Sequence, residues 1–359
     1  MLLLLLALEW NLDWKHLGSA PGGHYCIEEK LAAAGRDSSW DFGLLGVPHC
    51  KSKKEVAWSK SELLFALRDF IPLYESRPIK QYQRGALGLD HSFGLWFLAR
   101  RLQPEIIIES GGHRGHSTWI LRRAVPDARI IALGTEHPSY VHANTIYVTR
   151  DNDFGSLDWD NLLNPSIRKA KILLVFDDHQ NQFKRVLQAR NAGFQHLIFA
   201  NNSDTGSGEA YSLRQVCDQQ STGGGHNCSI DSREAAARSQ RKKSWDRAIE
   251  ISEICSSKGE WWGVRGQMRD KPDRASVYIT HRDHVRNHGI FDSMLQTYWE
   301  LPPVASPGLS KQRSYDPART PPPLLGDEDS VVFDAMGLSQ LEPWQFGDYS
   351  QLVYVRLDG

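Results

Sequence analysis

Five short apolar runs, separated by helical patterns and turns, constrain the fold of this chain more than any other feature. The runs occupy residues 106–108, 128–133, 145–148, 172–176 and 196–200. Helical patterns lie between them at residues 117–124 and 182–192. Strands and helices in strict succession predict an α/β fold with a doubly wound, mostly parallel sheet and helices on both faces. The run at 172–176 is apolar throughout, as expected of a central parallel strand.

The remaining segments are arranged around this Rossmann-like sheet. We predict four regions: an irregular N-terminal extension with a short apolar leader at 1–58, a main domain at 59–300 with a loop and helix insertion at 203–258, a Pro-rich loop at 301–330, and a C-terminal strand region at 331–359. Helices are also predicted at 59–74 and 93–102, before the first strand. Residues 351–357 alternate between apolar and polar types, which predicts a C-terminal edge strand.

The charges of the chain nearly cancel. It has 42 Lys and Arg residues against 43 Asp and Glu residues, a formal net charge of −1 at pH 7. Proteins that bind nucleic acid backbones rely on a broad positive field, which this balance does not provide. We therefore expect no nucleic-acid partner.

The N-terminal leader at residues 1–8 is apolar but far shorter than the roughly 20 residues that cross a bilayer. It has no basic region before it, as a regular signal peptide would. Two interpretations stay open: the remnant of a longer signal-anchor, or an apolar helix that docks on the domain. Any membrane association is expected through this leader alone.

The five cysteines show no CxxC and no spacing with histidine that suits zinc. One interpretation is buried or free thiols. In the other, Cys217 and Cys228, which bracket a Gly-rich loop, form a disulfide in an oxidising compartment. Asn201 and Asn227 stand in Asn-x-Ser sequons that fit such a compartment. Localisation stays open between the secretory pathway or Golgi lumen, another organelle and the cytoplasm, and these features favour the secretory pathway.

The turn after the first strand is the main candidate for ligand binding. It runs from Glu109 to Ser117, and Gly111 and Gly115 permit positive φ and close backbone approach. Ser117 starts the next helix, where a hydroxyl and free N–H groups can bind a carboxylate or phosphate. Such turns also occur for packing alone, but a preceding strand and a following helix favour a nucleotide-cofactor site.

The pattern Glu-x-Gly-x-x-x-Gly-x-Ser after an apolar strand resembles the first motif of class I, Rossmann-like S-adenosylmethionine-dependent methyltransferases. It is most similar to the metal-dependent O-methyltransferases of the catechol type and to the cephalosporin-hydroxylase-like branch. The phrases at residues 90–93, 109–111 and 176–180 also resemble poorly characterised methyltransferase-like proteins of bacteria and algae. The resemblance implies that Glu109, Gly111 and Gly115 line the cofactor and that Ser117 meets its methionine carboxylate.

The resemblance also implies acidic residues for the nucleoside half of the cofactor. The strand at 128–133 has no acid directly at its end, so Glu136 is the candidate for the ribose hydroxyls, through a shifted loop. Asp151, with Asp153, is the candidate near the adenine. The alternative for all three is an ordinary solvated acid in a turn.

Asp177, Asp178 and His179 follow the central apolar strand and form the most chemically suggestive cluster. Adjacent carboxylates that leave a buried strand are costly unless they are paired or bind a cation. The resemblance makes Asp178 a metal ligand, and imidazole chemistry makes His179 a candidate general base. In methyl transfer, His179 or Asp178 would take the proton of the acceptor. The alternative is a helix N-cap followed by a buried histidine.

The next strand ends in Ala200, Asn201 and Asn202. The metal-dependent relatives carry a carboxylate here, so Asn201 and Asn202, with Asp178, form a weakened site for Mg2+. The lysine base of catechol-type enzymes is also absent: Asn181 takes its position, and Lys184 lies one helical turn beyond.

Together these features predict a methyltransferase that acts on a hydroxyl of a small-molecule or carbohydrate acceptor, with residues 298–303 shaping the acceptor pocket. The rival hypothesis is a catalytically degenerate domain that serves as a scaffold or subunit with an oligomeric or assembly partner. A dinucleotide-dependent oxidoreductase is a third hypothesis, disfavoured because the chain lacks Gly-x-Gly-x-x-Gly.

Overall fold

A seven-stranded sheet forms the centre of the molecule. The computed structural model describes residues 50, 58–79, 87–112, 114–134, 140–148, 153–164, 166–204, 210–218, 269–270, 277–279, 281–312, 320–346 and 350–359. The strands of the sheet are β1 (Ile106–Ser110), β2 (Arg129–Leu133), β3 (Thr145–Val148), β4 (Ile172–Phe176), β5 (His196–Ser203), β8 (Leu295–Glu300) and β9 (Ser350–Leu357). A separate two-stranded ribbon consists of β6 (Arg269–Asp270) and β7 (Val277–Tyr278).

The strand order is β3-β2-β1-β4-β5-β9-β8, and the pairs among β1 to β5 are all parallel. The order reverses between β1 and β4, because the chain moves outward from β1 to β3 and then crosses back to β4. Ligands of open α/β sheets bind at such a switch point, outside the carboxyl ends of the strands. The predicted Rossmann-like α/β fold is confirmed.

The helices of the described residues lie before, between and after the strands. They are α1 (Lys60–Glu75), α2 (Leu89–Leu102), α3 (His116–Ala124), α4 (Trp159–Leu162), α5 (Gln182–Asn191), α6 (Leu213–Val216), α7 (His281–Met294), α8 (Pro307–Ser310) and α9 (Ser330–Ala335). Helix α1 starts with a capping box, in which Ser59 and Glu62 satisfy each other's backbone N–H groups. Helix α2 starts four residues before the predicted position, because Gly88 is its N-cap and Asp90 lies in its first turn.

Helices cover both faces of the sheet, as predicted. Successive side chains of a strand point to opposite faces, so Ile107 belongs to one hydrophobic core and its neighbours Ile106 and Ile108 to the other. The first core includes buried side chains of α1, α2 and α3, and the second includes those of α5, α6 and α7. The apolar run of β4 is buried along its whole length.

The C-terminal strand β9 returns to the sheet, but the prediction that it is an edge strand is wrong. It lies between β5 and β8 and pairs antiparallel with both. Its residues from Leu352 to Val355 are all buried, as two-sided pairing and packing require. The edge position belongs to β8, which the sequence pattern did not predict as a strand.

Cys217 forms a disulfide with Cys50, across a sequence separation of 167 residues. The expected pairing of Cys217 with Cys228 is therefore wrong. The disulfide joins the chain before α1 to the end of α6. Cys228, the sequon at Asn227, the apolar leader and most of the predicted insertion lie outside the described residues, and the domain boundaries stay a prediction. Within the described ranges, no helix is long and apolar enough to cross a membrane.

Candidate active site

Polar side chains from three adjacent strands meet at the carboxyl edge of the sheet. Glu109 and Ser110 end β1, Asp177 and Asp178 follow β4, and Asn201 lies near the end of β5. These strands are parallel neighbours in the order β1-β4-β5, so their ends lie side by side at the switch point. The structure thus brings together the clusters that the sequence places more than 90 residues apart.

The glycine turn packs directly against the end of β4. Gly111 has φ +95°, and a Cβ built on it would lie 2.4 Å from the carbonyl oxygen of Asp177. Gly115, with φ +90°, is the N-cap of α3. Both the conformation and the close approach to the Asp177 backbone exclude a side chain at Gly111, while its contact with a cofactor stays a prediction.

Glu109 is buried, with 1% of its surface exposed. The Thr118 hydroxyl donates a hydrogen bond to its Oε2, while Oε1 is a buried acceptor without a hydrogen-bond partner. Burial raises the pKa of Glu109, and hydrogen bonds from Ser117 and Thr118 lower it in part. Ser117 is buried in the first turn of α3. Glu109 is therefore a buried carboxyl beneath the glycine turn.

Asp178 is held in an ion pair. Its Oδ2 accepts hydrogen bonds from Ser110 Oγ at 2.8 Å and from Arg185 Nε at 2.9 Å. Arg185, which is 3% exposed, also binds the carboxylate of Asp153. The hydrogen bond from Arg185 lowers the pKa of Asp153, and the two side chains form an ion pair. The Asp178 carboxylate, which was predicted to bind a metal ion or to take a proton, is thus already bound by Ser110 and Arg185.

Asp177 is less constrained than Asp178. Its Oδ1 accepts a hydrogen bond from Asn201 Nδ2 at 2.6 Å, and its side chain is partly exposed. Burial, and then the charges of Glu109 and Asp178, raise the pKa of Asp177 well above its usual range. His179 is exposed and its Nε2 lies 3.5 Å from the same Asn201 nitrogen. His179 also has φ +55°, an uncommon conformation for a residue with a side chain.

The alternative interpretation of the Asp177 to His179 cluster, an N-cap followed by a buried histidine, is wrong. The N-cap of α5 is Asn181, whose Oδ1 accepts the backbone N–H of Lys184. Since His179 is exposed, it is available to a ligand at the carboxyl edge.

Asn202 belongs to a separate buried network. Its side-chain nitrogen donates to Tyr298 Oη and Glu300 Oε1, and its Oδ1 accepts the backbone N–H of Arg214. Arg214 Nη1 also binds Glu300 Oε2 at 2.9 Å. The Tyr298 hydroxyl donates a hydrogen bond to Glu300, so the Tyr298 side chain packs inside the fold. Asn202 therefore anchors β5 to β8, away from the partly exposed Asp177.

The predicted metal ligands do not form a metal-binding cluster. No group of three or more His, Cys, Asp or Glu side chains in the described parts of the chain could hold a metal ion. Asp178 is paired with Arg185, Asn201 donates to Asp177, and the oxygen of Asn202 accepts from Arg214. Mg2+ binding stays a prediction that this arrangement does not support.

Glu136 and Asp151, the candidates for the nucleoside half of a cofactor, lie outside the described residues. Their predicted contacts stay untested. Arg185 and Thr118, which determine the environments of Asp178 and Glu109, were not predicted from the sequence. Arg185 lies seven residues after Asp178 in a helix with several charges, so only its burial, which is not visible in the sequence, could have marked it.

The first turn of α2 lies at the same edge of the sheet. Asp90 Oδ2 accepts the backbone N–H of Val304, and His91 hydrogen-bonds to the backbone of Ala200. Burial raises the pKa of Asp90 well above its usual range and lowers that of His91 to about 4. Residues 90–93, whose sequence carries part of the family resemblance, therefore form buried polar contacts between α2 and the segments around the ends of β5 and β8.

Comparison with solved structures returns methyltransferases. The methyltransferase PaMTH1 of Podospora anserina, bound to S-adenosylhomocysteine, is 16% identical; the match covers 51% of this chain and 73% of that one, with a TM-score of 0.25. The O-methyltransferase TomG of Streptomyces achromogenes, involved in tomaymycin synthesis, is 12% identical over 86% and 92% of the two chains, with a TM-score of 0.34. The plantazolicin methyltransferase BpumL is 10% identical over 94% and 99%, with a TM-score of 0.30.

These likenesses are weak, so the fold class rests on the strand order and pairing of the sheet itself. No protein-family model matches the chain, and no curated protein matches it.

Proposed function

We propose that this protein is an S-adenosylmethionine-dependent methyltransferase that acts on a hydroxyl group of a small-molecule or carbohydrate acceptor. The observation that carries the proposal is the Gly111 turn, which packs on Asp177 at the point where the strand order reverses. Open α/β sheets bind nucleotide cofactors at this place. The motif around the turn resembles the cofactor motif of this enzyme class.

The described residues fit such a cofactor. A side chain at Gly111 would collide with the backbone of Asp177, and Glu109, which precedes Ser110 at the end of β1, keeps a buried oxygen without a hydrogen-bond partner. The nine-residue helix α3 begins at the same turn, and its free N–H groups suit the methionine carboxylate. Gly111, Gly115, Glu109 and Ser117 would hold the methionine half.

When bound, the cofactor supplies an electrophilic methyl group on a positively charged sulfur. The acceptor hydroxyl must lose its proton to become an ether oxygen, and the exposed imidazole of His179 beside Asn201 can accept it. Asp178 does not serve this role in our proposal, because Ser110 and Arg185 occupy its carboxylate.

Titration calorimetry tests the cofactor assignment. We expect the wild-type protein to bind S-adenosylmethionine, and we expect binding to persist when Mg2+ is removed with a chelator. The single hydroxyl proton of Ser117 binds Glu109 here and would have to turn to the methionine carboxylate in the complex. Ser117→Ala should therefore weaken binding by no more than about tenfold, since one hydrogen bond to a charged group is worth about 1.5 kcal/mol. Ser293→Ala, the same change on the exposed side of α7, is the control and should leave affinity unchanged.

The outcome decides between the two main hypotheses. A protein that is folded, as judged by its thermal transition, but binds no S-adenosylmethionine with or without Mg2+ would contradict the methyltransferase proposal. That result would favour the degenerate scaffold, to which the ion-paired state of Asp178 also points.

A further inference from the structure

Three acidic side chains lie at the ends of β1 and β4, and they differ in how their carboxyl groups are held. Glu109 is buried and accepts a hydrogen bond from Thr118. Asp178 is bound by Ser110 and Arg185. Asp177 has one oxygen hydrogen-bonded to Asn201, and the residue as a whole is only partly buried.

Asp177 lies directly beside the glycine turn. Its backbone N–H donates to the carbonyl of Ser110 at 2.8 Å, and its carbonyl oxygen limits the space at Gly111. In the proposed function Glu109, Gly111 and Ser117 hold the methionine half of the cofactor, which includes its sulfur. Because Asp177 packs against Gly111, the sulfur then lies near Asp177.

The electrostatics beside Asp177 favour a cation. Burial and the like charges of Glu109 and Asp178 raise the pKa of Asp177, so a positive group beside these carboxyls would stabilise their charged forms. The guanidinium of Arg185 binds Asp178 and Asp153, and no ion pair with Asp177 exists in the described ranges of the chain. A positive ligand group near two neighbouring carboxyls in a partly desolvated site gains more than it would in water.

We propose that Asp177, held in place by Asn201, selects the positively charged sulfonium of S-adenosylmethionine over the neutral thioether of S-adenosylhomocysteine. This inference rests on the proposed function. The two ligands share their amino, carboxylate and nucleoside groups, so they differ only by the methyl group and its charge. Asp177 therefore sets the ratio of their affinities, which favours exchange of product for fresh cofactor.

The test measures the affinities of both ligands by titration calorimetry, without any acceptor. Asp177→Asn keeps the shape of the side chain and removes its charge. We expect it to weaken S-adenosylmethionine binding about tenfold and S-adenosylhomocysteine binding less than about twofold, since one charge in a partly desolvated site changes a cation's affinity by that order. Asp334→Asn, an exposed acid of α9, is the matched control and should alter neither affinity.

A second variant removes the support of the carboxylate rather than its charge. Asn201→Ser deletes the hydrogen bond to Asp177 Oδ1 and should lower the affinity ratio about threefold, a smaller effect than that of Asp177→Asn, since a single hydrogen bond contributes about 1 kcal/mol. If Asp177→Asn does not fold, as judged by its thermal transition, this variant decides the question.

Equal weakening of both ligands, or an unchanged ratio, would overturn the role of Asp177 while leaving cofactor binding intact. If the wild-type protein binds neither ligand, the proposed function fails and this inference fails with it. A selective loss for S-adenosylmethionine supports both.

Discussion

Arg185 and Asp178 form a largely buried ion pair, with side chains 3% and 13% exposed and 2.8 Å between Nη2 of the guanidinium and Oδ2 of the carboxylate. The pair joins α5 to the end of β4, and through Ser110 to the end of β1. It fixes the loop that carries Asp177 and His179. The arrangement of the candidate site therefore depends on this ion pair, and the same ion pair occupies the carboxylate of Asp178.

Breaking this pair from one side should be costly. Arg185→Met leaves Asp178 without its cation, and we expect the free energy of unfolding to fall by about 3 kcal/mol or more, since a buried charge without a partner is strongly destabilising. Asp178→Asn should cost a similar amount. The double variant should cost at least about 1 kcal/mol less than the sum of the two, because the pair is lost only once. Denaturant unfolding measures all three.

The control for this comparison of single and double variants is Asp153, the other partner of Arg185. Its side chain is 52% exposed, so Asp153→Asn should cost no more than about 1 kcal/mol. Additive costs for Arg185→Met and Asp178→Asn would show that the two side chains do not stabilise each other.

Gly111 should tolerate no side chain. In Gly111→Ala the new Cβ meets the backbone of Asp177, which cannot move without disturbing β4, in addition to the strain of a positive φ. Gly134→Ala is the matched control, because Gly134 has φ +68° but nothing within 4 Å of a built Cβ. Backbone strain alone should cost Gly134→Ala about 1 to 2 kcal/mol. Gly111→Ala should cost clearly more and should abolish cofactor binding.

Urea unfolding and calorimetry on the two alanine variants make this comparison. Similar losses of stability in both would mean that the close approach of Gly111 to Asp177 is unimportant.

His116 should make the protein sensitive to acid. Its Nε2 lies 3.0 Å from Ser92 Oγ, and burial, with the charge of Arg77, lowers its pKa from 6.5 to about 4. Between these two values the unfolded chain binds a proton that the native protein does not, so stability is lost as the pH falls from 6.5 towards 4. The loss approaches about 1.4 kcal/mol per pH unit.

His116→Gln removes this proton uptake. The difference in unfolding free energy between wild type and variant should change by about 2 kcal/mol between pH 7 and pH 5, from 1.5 pH units at about 1.4 kcal/mol each. The buried acids Asp90, Glu109 and Asp177 titrate in both proteins and cancel in the difference. Parallel stability curves for the two proteins would contradict the assignment to His116.

The strand ends could be predicted from sequence because the signals are local. The apolar run at 172–176 and the Gly111 turn each carry their own pattern, and the resulting strands place Glu109 beside Asp177. The hydrogen-bond and ion-pair partners of each acid could not be predicted from the sequence. Arg185 reaches Asp178 and Asp153 only after α5 packs on the sheet, and Asn201 reaches Asp177 only once β5 pairs with β4.

The edge of the sheet was missed for a related reason. Residues 295–300 mix polar and aromatic types, with Gln296, Thr297 and Glu300 among them, so no strand pattern stands out. Arg214 and Asn202, which come from other elements, bind the carboxylate of Glu300 and so lower the energetic cost of its burial. Since β8 was not recognised, β9 was assigned to the edge that β8 holds.

The disulfide between Cys50 and Cys217 should contribute strongly to stability. It closes a loop across 167 residues, for which the chain-entropy model gives about 5 kcal/mol, and removal of native disulfides typically costs 2 to 5 kcal/mol. Cys217 follows α6, whose residue Arg214 binds Glu300 and Asn202, so loss of the bond should loosen the support of β5 as well. Added reductant should therefore lower the melting temperature of the wild-type protein.

The matched variants distinguish this pairing from the one that the sequence suggested. Cys50→Ala should melt at the temperature of the reduced wild-type protein and should no longer respond to reductant, whereas Cys228→Ala should keep the full response. If Cys217 were instead paired with Cys228, Cys228→Ala would lose the response and Cys50→Ala would keep it. Peptide mapping under non-reducing conditions would identify the bonded peptides directly. Because such bonds persist in oxidising compartments, a wild-type protein isolated with Cys50 and Cys217 as free thiols would contradict the predicted preference for the secretory pathway.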